Sequence, residues 1–117
     1  MGDRYGILLL TTTGRKTHRQ RIVPVVFMRV GENFVLTGSN IGLDEHPAWY
    51  LNLKSDPYAH IQIGKIRRAV VAKEGDPEER DRLWIDWIKA KPGYADFQAK
   101  TARTFPMVIL KPLSASL

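Results

Sequence analysis

Ile7-Leu8-Leu9-Leu10-Thr11-Thr12-Thr13-Gly14-Arg15-Lys16-Thr17-His18-Arg19-Gln20-Arg21-Ile22-Val23-Pro24-Val25-Val26-Phe27 is the stretch on which the reading of this chain turns. Aliphatic and threonine residues before Gly14, and a Val- and Ile-rich run after Arg21, read as two β-strands joined by a turn. Gly14 is expected to supply the positive φ of a tight reversal. The turn then projects Arg15, Lys16, Arg19 and Arg21 from one edge of a sheet. Four cations within seven residues repel one another, and no acidic residue lies between Arg4 and Gly31 to offset them. Either the turn is a solvated hairpin tip, or it holds an anionic ligand. Guanidinium forks suit planar or phosphate oxygens, and lysine adds a point charge.

Working outward, residues 5–13 form a first strand and 20–30 a second. Gly31-Glu32-Asn33 turns into a third strand, Phe34-Val35-Leu36-Thr37, which completes an antiparallel meander. A polar, glycine-bearing segment, Gly38 to Glu45, leads into a short helix from His46-Pro47 to Lys54. Pro47 is expected as its first helical residue, with Ala48, Leu51 and Asn52 sharing a face. Asp56-Pro57 stops that helix. Residues 59–63 and 66–72 read as a hairpin around Gly64-Lys65. Gly75-Asp76-Pro77-Glu78-Glu79 is a helix start, with Asp76 as cap and two acids complementing the helix dipole. Leu83, Trp84, Trp87 and Ile88 make an apolar stripe, so both tryptophans read as core. Lys91-Pro92-Gly93 breaks the helix, Tyr94 to Lys100 makes another turn or two, and Phe105 to Leu110 is a final strand. Six strands linked mostly as hairpins, with two or three helices, predict a mainly β fold with flanking helices (α+β). A small, twisted antiparallel barrel carrying its helices outside is the natural closure.

A chain of 117 residues with 44% hydrophobic and 26% charged residues is one domain of ordinary globular composition. A formal charge of +6 asks for a negative partner without choosing it. No apolar run is long enough to span a bilayer, and Asp3 beside Arg4 does not suit a signal peptide, so the chain reads as cytoplasmic. The absence of cysteine excludes disulfides, thiolate nucleophiles and cysteine-ligated metals. His18, His46 and His60 are scattered, so no metal site is expected. No phosphate-binding glycine loop, dinucleotide fingerprint or nucleophile elbow is present.

Thr11 to Lys16, then Arg21 and Pro24, then Ser39-Asn40-Ile41-Gly42, then His46-Pro47-Ala48-Trp49-Tyr50-Leu51-Asn52-Leu53, closely resemble the deazaflavin-dependent nitroreductase family. The pattern resumes in Tyr94-Ala95-Asp96-Phe97-Gln98, followed by Thr101, Arg103 and Pro106, and so covers nearly the whole chain. The resemblance implies a split β-barrel, antiparallel and related to FMN-binding split barrels, that binds coenzyme F-420, a deazaflavin with a phosphate-linked polyglutamate tail. It implies that Arg15, Lys16 and Arg21 hold phosphate and tail carboxylates and that Pro24 borders the pocket. Asn40 and Gly42 fall where relatives use loop and backbone contacts to the ring. Trp49 and Asn52 match helix positions that pack on or bond to the cofactor, although Trp49 also suits a core anchor.

The implied activity is hydride transfer from reduced coenzyme F-420 to a small-molecule acceptor such as a nitroaromatic, quinone or conjugated enone. Tyr94 matches a tyrosine on the substrate side and is the candidate proton donor, although a packed side chain beside a helix break would read the same. Phe97 and Val26 stand where some relatives carry further tyrosines, which puts nitroreduction in question. Relatives usually carry a helical segment before the first strand, and without one membrane association has no support in this sequence. Two alternatives stay open: an FMN-dependent split barrel, or a non-catalytic module binding the cofactor or nucleic acid. A polyglutamate tail asks for a cationic track, which Arg15, Lys16, Arg19 and Arg21 resemble more than a single-phosphate clamp. Nucleic acid is not expected, because no aromatic residue interleaves the basic turn. The oligomeric state is left open.

Overall fold

Alternation of buried and outward residues in β1 (Tyr5–Thr13), where Leu8, Leu10 and Thr12 are buried, sets the interior of a closed six-stranded barrel. The computed structural model describes residues 4–113. Met1–Asp3, where the sequence argues against a signal peptide, and Ser114–Leu117, the end of the tail, lie outside the described residues. The remaining elements are β2 (Gln20–Val30), β3 (Asn33–Thr37), a 3-10 turn (Asn40–Gly42), α1 (Ala48–Ser55), β4 (Tyr58–Ile63), β5 (Ile66–Glu74), α2 (Pro77–Ala90), α3 (Tyr94–Ala99) and β6 (Met107–Pro112). The strand order is β1-β2-β3-β6-β5-β4, and β1 closes on β4 through Leu9–Gln62, Leu10–Ile61 and Thr11–His60; every pairing is antiparallel. The expected meander, the Gly64-Lys65 hairpin and the barrel with outer helices are all present.

The two faces of the strands bury two separate cores. Leu8, Leu10, Phe27, Phe34, Leu36, Ile61, Val70, Val108 and Leu110 fill the barrel, with Tyr50 and Leu53 of α1 packed against them. On the outer face, Met28, Val35, Met107 and Ile109 are covered by Leu83 and Trp87 of α2, and Trp87 is wholly buried. Helix α2 starts as its sequence dictates: the Asp76 carboxylate accepts a bond from the Glu79 N–H at 2.9 Å.

Local details differ from expectation for identifiable reasons. Pro47 caps α1 and is not its first helical residue, because its ψ of 149° is extended while its carbonyl accepts the first helical N–H groups. The buried face of α1 carries Tyr50, Asn52 and Leu53, whereas Ala48 is exposed. Strand β6 begins at Met107, since Pro106 has no N–H to donate to a ladder. Gly14 does not have a positive φ; His18, at 60°, takes the left-handed position of that turn.

Two features position a site. Strand β2 pairs with β3 only through Met28, Arg29 and Val30, so from Gln20 to Phe27 it is laddered to β1 alone and the barrel wall parts beside it. Across the opening, the segment Gly38–His46 is clamped by Arg103. Its guanidinium donates to the carbonyls of Leu43 (2.9 Å), Gly38 (3.0 Å) and Ser39 (2.9 Å), and lies 3.3 Å from His46 Nδ1. Arginine can only donate, so Nδ1 accepts and His46 is neutral. Burial, and then the Arg103 charge, hold the His46 pKa below its ordinary value, in keeping with that assignment. Replacing Arg103 by Lys keeps the charge but loses the fork. Urea denaturation of Arg103→Lys is expected to show a loss of about 2–4 kcal/mol, and an unchanged midpoint would remove the clamp from the account.

Candidate functional site

A cleft of about 720 Å³ lies where β2 and β3 part. One end is the basic turn. The Gly14 N–H donates to the Arg19 carbonyl at 2.7 Å, and the Gly14 carbonyl accepts from His18 at 2.8 Å. A Cβ on Gly14 would lie 3.0 Å from Thr17 Oγ1 and 3.1 Å from the Arg19 carbonyl, so glycine is needed here for close approach. Arg15, Lys16 and Arg21 line the cleft, and Arg19 does not. Among the described residues, none of those three lining cations has a carboxylate within 4.0 Å. The positive end is therefore uncompensated.

What holds this turn is Asn52, which is buried on α1. Its Oδ1 accepts from the Arg15 backbone N–H at 3.1 Å and from Arg15 Nη1 at 3.3 Å, while Nδ2 donates to Thr12 Oγ1 at 3.2 Å. The amide thus acts through Arg15 and fixes the turn. Helix α1 is itself pinned to β5, with the Tyr50 hydroxyl donating to Glu74 at 2.7 Å. Trp49 both lines the cleft and packs against the barrel core, so the two readings of that residue are compatible.

The middle of the cleft runs along Val23, Pro24 and Val25 of β2 and faces Ser39, Asn40 and Ile41. Asn40 and Ile41 have φ of 46° and 49°. Asparagine tolerates that conformation, but for a β-branched isoleucine it stores about 1–3 kcal/mol. The Asn40 amide donates to the Glu45 carbonyl at 3.0 Å and braces its own loop. Gly42 does not line the cleft. With φ of 88° and a would-be Cβ 2.7 Å from the Phe97 carbonyl, it lets the loop pack under α3.

The other end is aromatic. Val26, Thr37, Trp87 and Tyr94 line it, and Tyr94 meets Trp87 edge-on with centroids 5.4 Å apart. Phe97 stands behind Tyr94 at 5.3 Å and is not part of the lining. Burial raises the Tyr94 pKa above its ordinary value of 10.0, which keeps the hydroxyl a donor at neutral pH. At about 3.3 Å per residue, the five steps along β2 from Arg21 to Val26 separate the cationic and aromatic ends by roughly 16 Å. Arg67 and Arg68, on β5, lie outside this cleft. Among the described residues, no group of three or more His, Cys, Asp or Glu is placed to hold a metal ion.

Thr37 and Trp87 were not singled out by sequence reasoning as site residues. One reads as a strand end and the other as a core stripe, and only the packing of α2 over β3 brings them to the cleft.

An opening in a split barrel with a cationic end, an apolar wall and an aromatic end has the form of a small-molecule binding cleft. The sequence profile of the F420H(2)-dependent quinone reductase family matches residues 2–112, and the chain belongs to that family. A relative from Mycobacterium tuberculosis strain H37Rv, provisionally named an F420H(2)-dependent quinone reductase, is 39% identical over 108 residues, covering 90% of this chain and 88% of its own. A solved F420-H2 dependent reductase superposes with a TM-score of 0.80 at 35% identity, over 90% of this chain and 93% of that one. A Listeria innocua structure provisionally titled a pyridoxamine 5′-phosphate oxidase superposes with a TM-score of 0.66 at 14% identity, over 92% and 84% of the two chains, a likeness of fold alone.

The turn depends on one amide. Asn52→Ala leaves the Arg15 N–H and the Thr12 hydroxyl without that partner, and is expected to cost about 2–3 kcal/mol in urea denaturation. Stability equal to that of the native chain would show that the turn is held some other way.

Proposed function

We propose that this protein is a reductase that uses reduced coenzyme F-420 to deliver hydride to quinones, with nitroaromatics and conjugated enones as further acceptor classes. The observation that carries this reading is the cleft itself: three uncompensated cations stand roughly 16 Å from an apolar, aromatic end. A deazaflavin with a phosphate and a polyglutamate tail matches that polarity from end to end, whereas the single phosphate of FMN would occupy less of the cationic end.

When bound, the reduced deazaflavin supplies the two-electron hydride. This chain's own residues do the rest. Arg15, Lys16 and Arg21 bind phosphate and tail carboxylates, with Asn52 holding Arg15 in place. Pro24, with Val23 and Val25, and Trp49 border the ring, and Asn40 shapes the loop that faces it. The hydroxyl of the half-buried Tyr94 holds a proton for the reduced acceptor. No nucleophile is needed, so the absence of cysteine and of a serine elbow is no obstacle. Among the described residues, no helix is long and apolar enough to cross a membrane.

Lys16→Ala and Arg21→Ala are each expected to weaken deazaflavin binding by ten- to a hundredfold, about 1–3 kcal/mol for a charge-assisted contact, with the melting temperature unchanged. Fluorescence titration reads this, and unchanged affinity would remove the turn from the site. Tyr94→Phe is expected to lower kcat and leave cofactor affinity within about twofold. Because burial raises the Tyr94 pKa, an alkaline decline of kcat from this group should lie at higher pH than for an ordinary tyrosine. Equal rates in Tyr94→Phe would assign the proton to solvent.

A further inference from the structure

Two residues that line the cleft, Thr37 and Trp87, each carry a buried polar group without a hydrogen-bond partner among the described residues, Thr37 Oγ1 and Trp87 Nε1. Their placement is a consequence of strand alternation. Thr37 lies two residues beyond Val35 and so shares its outer face of β3, the face that α2 covers with Trp87. Thr37 is paired with Met107 across the β3–β6 ladder, and the Met107 side chain packs in the same cluster as Trp87. Both groups therefore belong to one layer, at the end of the cleft that Tyr94 occupies. Trp87 is wholly buried and Thr37 is 9% exposed. A buried donor without a partner is costly, on the order of 1–3 kcal/mol, and two of them beside one cavity point to a ligand that completes them.

Resting on the quinone-reductase reading, we propose that Thr37 and Trp87 form an oxygen-binding subsite for the electron acceptor: the hydroxyl and the indole N–H both donate to one carbonyl oxygen of the quinone. An aromatic, apolar surround with two donors suits a flat ring bearing a carbonyl. The subsite also matches where charge develops. One quinone oxygen gains the hydride, so that a C–H bond of the reduced deazaflavin breaks and an O–H bond forms. The electron pair moves through the quinone ring and leaves the opposite oxygen as a phenolate. That oxygen sits on the two donors, and its anion is stabilised there before a proton from Tyr94 or solvent completes the hydroquinone. The deazaflavin, oxidised by the loss of hydride, releases its remaining proton to solvent. Donors already fixed in a dry site favour the charged product of transfer over the neutral quinone.

The test is Thr37→Val, which removes the hydroxyl at nearly constant shape, with Trp87→Phe as the second variant and a soluble 1,4-naphthoquinone as the acceptor. Each substitution is expected to lower kcat/KM for the naphthoquinone by ten- to a hundredfold while deazaflavin affinity stays within about twofold. The melting temperature of Thr37→Val without ligand should equal or exceed that of the native chain, because the substitution deletes an unpartnered buried group. A purely structural threonine would instead lose stability and activity together, and that outcome, or an unchanged kcat/KM in both variants, overturns the subsite. Failure of the native chain to bind the deazaflavin would overturn the functional reading separately. The subsite would then stand or fall on whether the naphthoquinone alone raises the melting temperature of the native chain and not that of Thr37→Val.

Discussion

A single buried amide couples the three parts of the molecule on which the site depends. Asn52 reaches from α1 to Thr12 on β1 and to both the backbone and the guanidinium of Arg15. The turn it holds concentrates Arg15, Lys16, Arg19 and Arg21, which repel one another and would favour an open, fluctuating loop. Three hydrogen bonds from a side chain already immobilised in a helix oppose that tendency at low entropic cost. The Tyr50–Glu74 bond secures the other side of the same helix, so the cations are presented from a rigid support. Preorganisation of this kind lets the attraction for an anionic ligand appear as affinity, since little of it is consumed in ordering the site.

The second constraint is the partial pairing of β2. Had β3 followed β2 along its full length, its ladder would occupy the edge of β2 that now faces the cleft. Pairing stops at Met28, and the freed half of β2 becomes one wall of the cleft. The opposite wall cannot rely on a strand ladder; it is stabilised instead by the four contacts of Arg103, which hold a turn shaped by left-handed residues at Asn40, Ile41 and Gly42. Helix α2 closes the far end. Its covering of the outer face serves stability, and it also delivers Trp87 and α3's Tyr94 to the cleft.

Much of this fold is legible locally. The β-prone runs of β1 and β2, the turns at Gly31 and Gly64 and the Asp76-Pro77 helix start are properties of neighbouring residues, and the structure places them where the sequence pattern puts them. The details that escaped depend on distant parts of the chain. Gly14 is glycine because of the Arg19 carbonyl and the Thr17 hydroxyl. The inward face of α1 is chosen by the barrel core. The same division runs through the site. Arg15, Lys16, Arg21, Pro24, Asn40, Trp49, Asn52 and Tyr94 line one cleft, while Gly42 serves the packing beneath it. Arg103 enters the sequence reading only as part of the family pattern, with no role assigned to it, and Thr37 and Trp87 read as ordinary strand and core residues. Their places at the cleft arise from tertiary contacts between elements far apart in sequence, for which no local pattern is a signal.

The measurement that bears most directly on the central claim is a fluorescence titration of the purified protein with oxidised deazaflavin, run in parallel with FMN at matched ionic strength and repeated at higher salt. The account predicts micromolar or tighter binding of the deazaflavin, a clear preference over FMN, and weakening with salt as the tail's charges are screened from Arg15, Lys16 and Arg21. Preference for FMN, or binding of neither, would contradict it and return the basic turn to solvent.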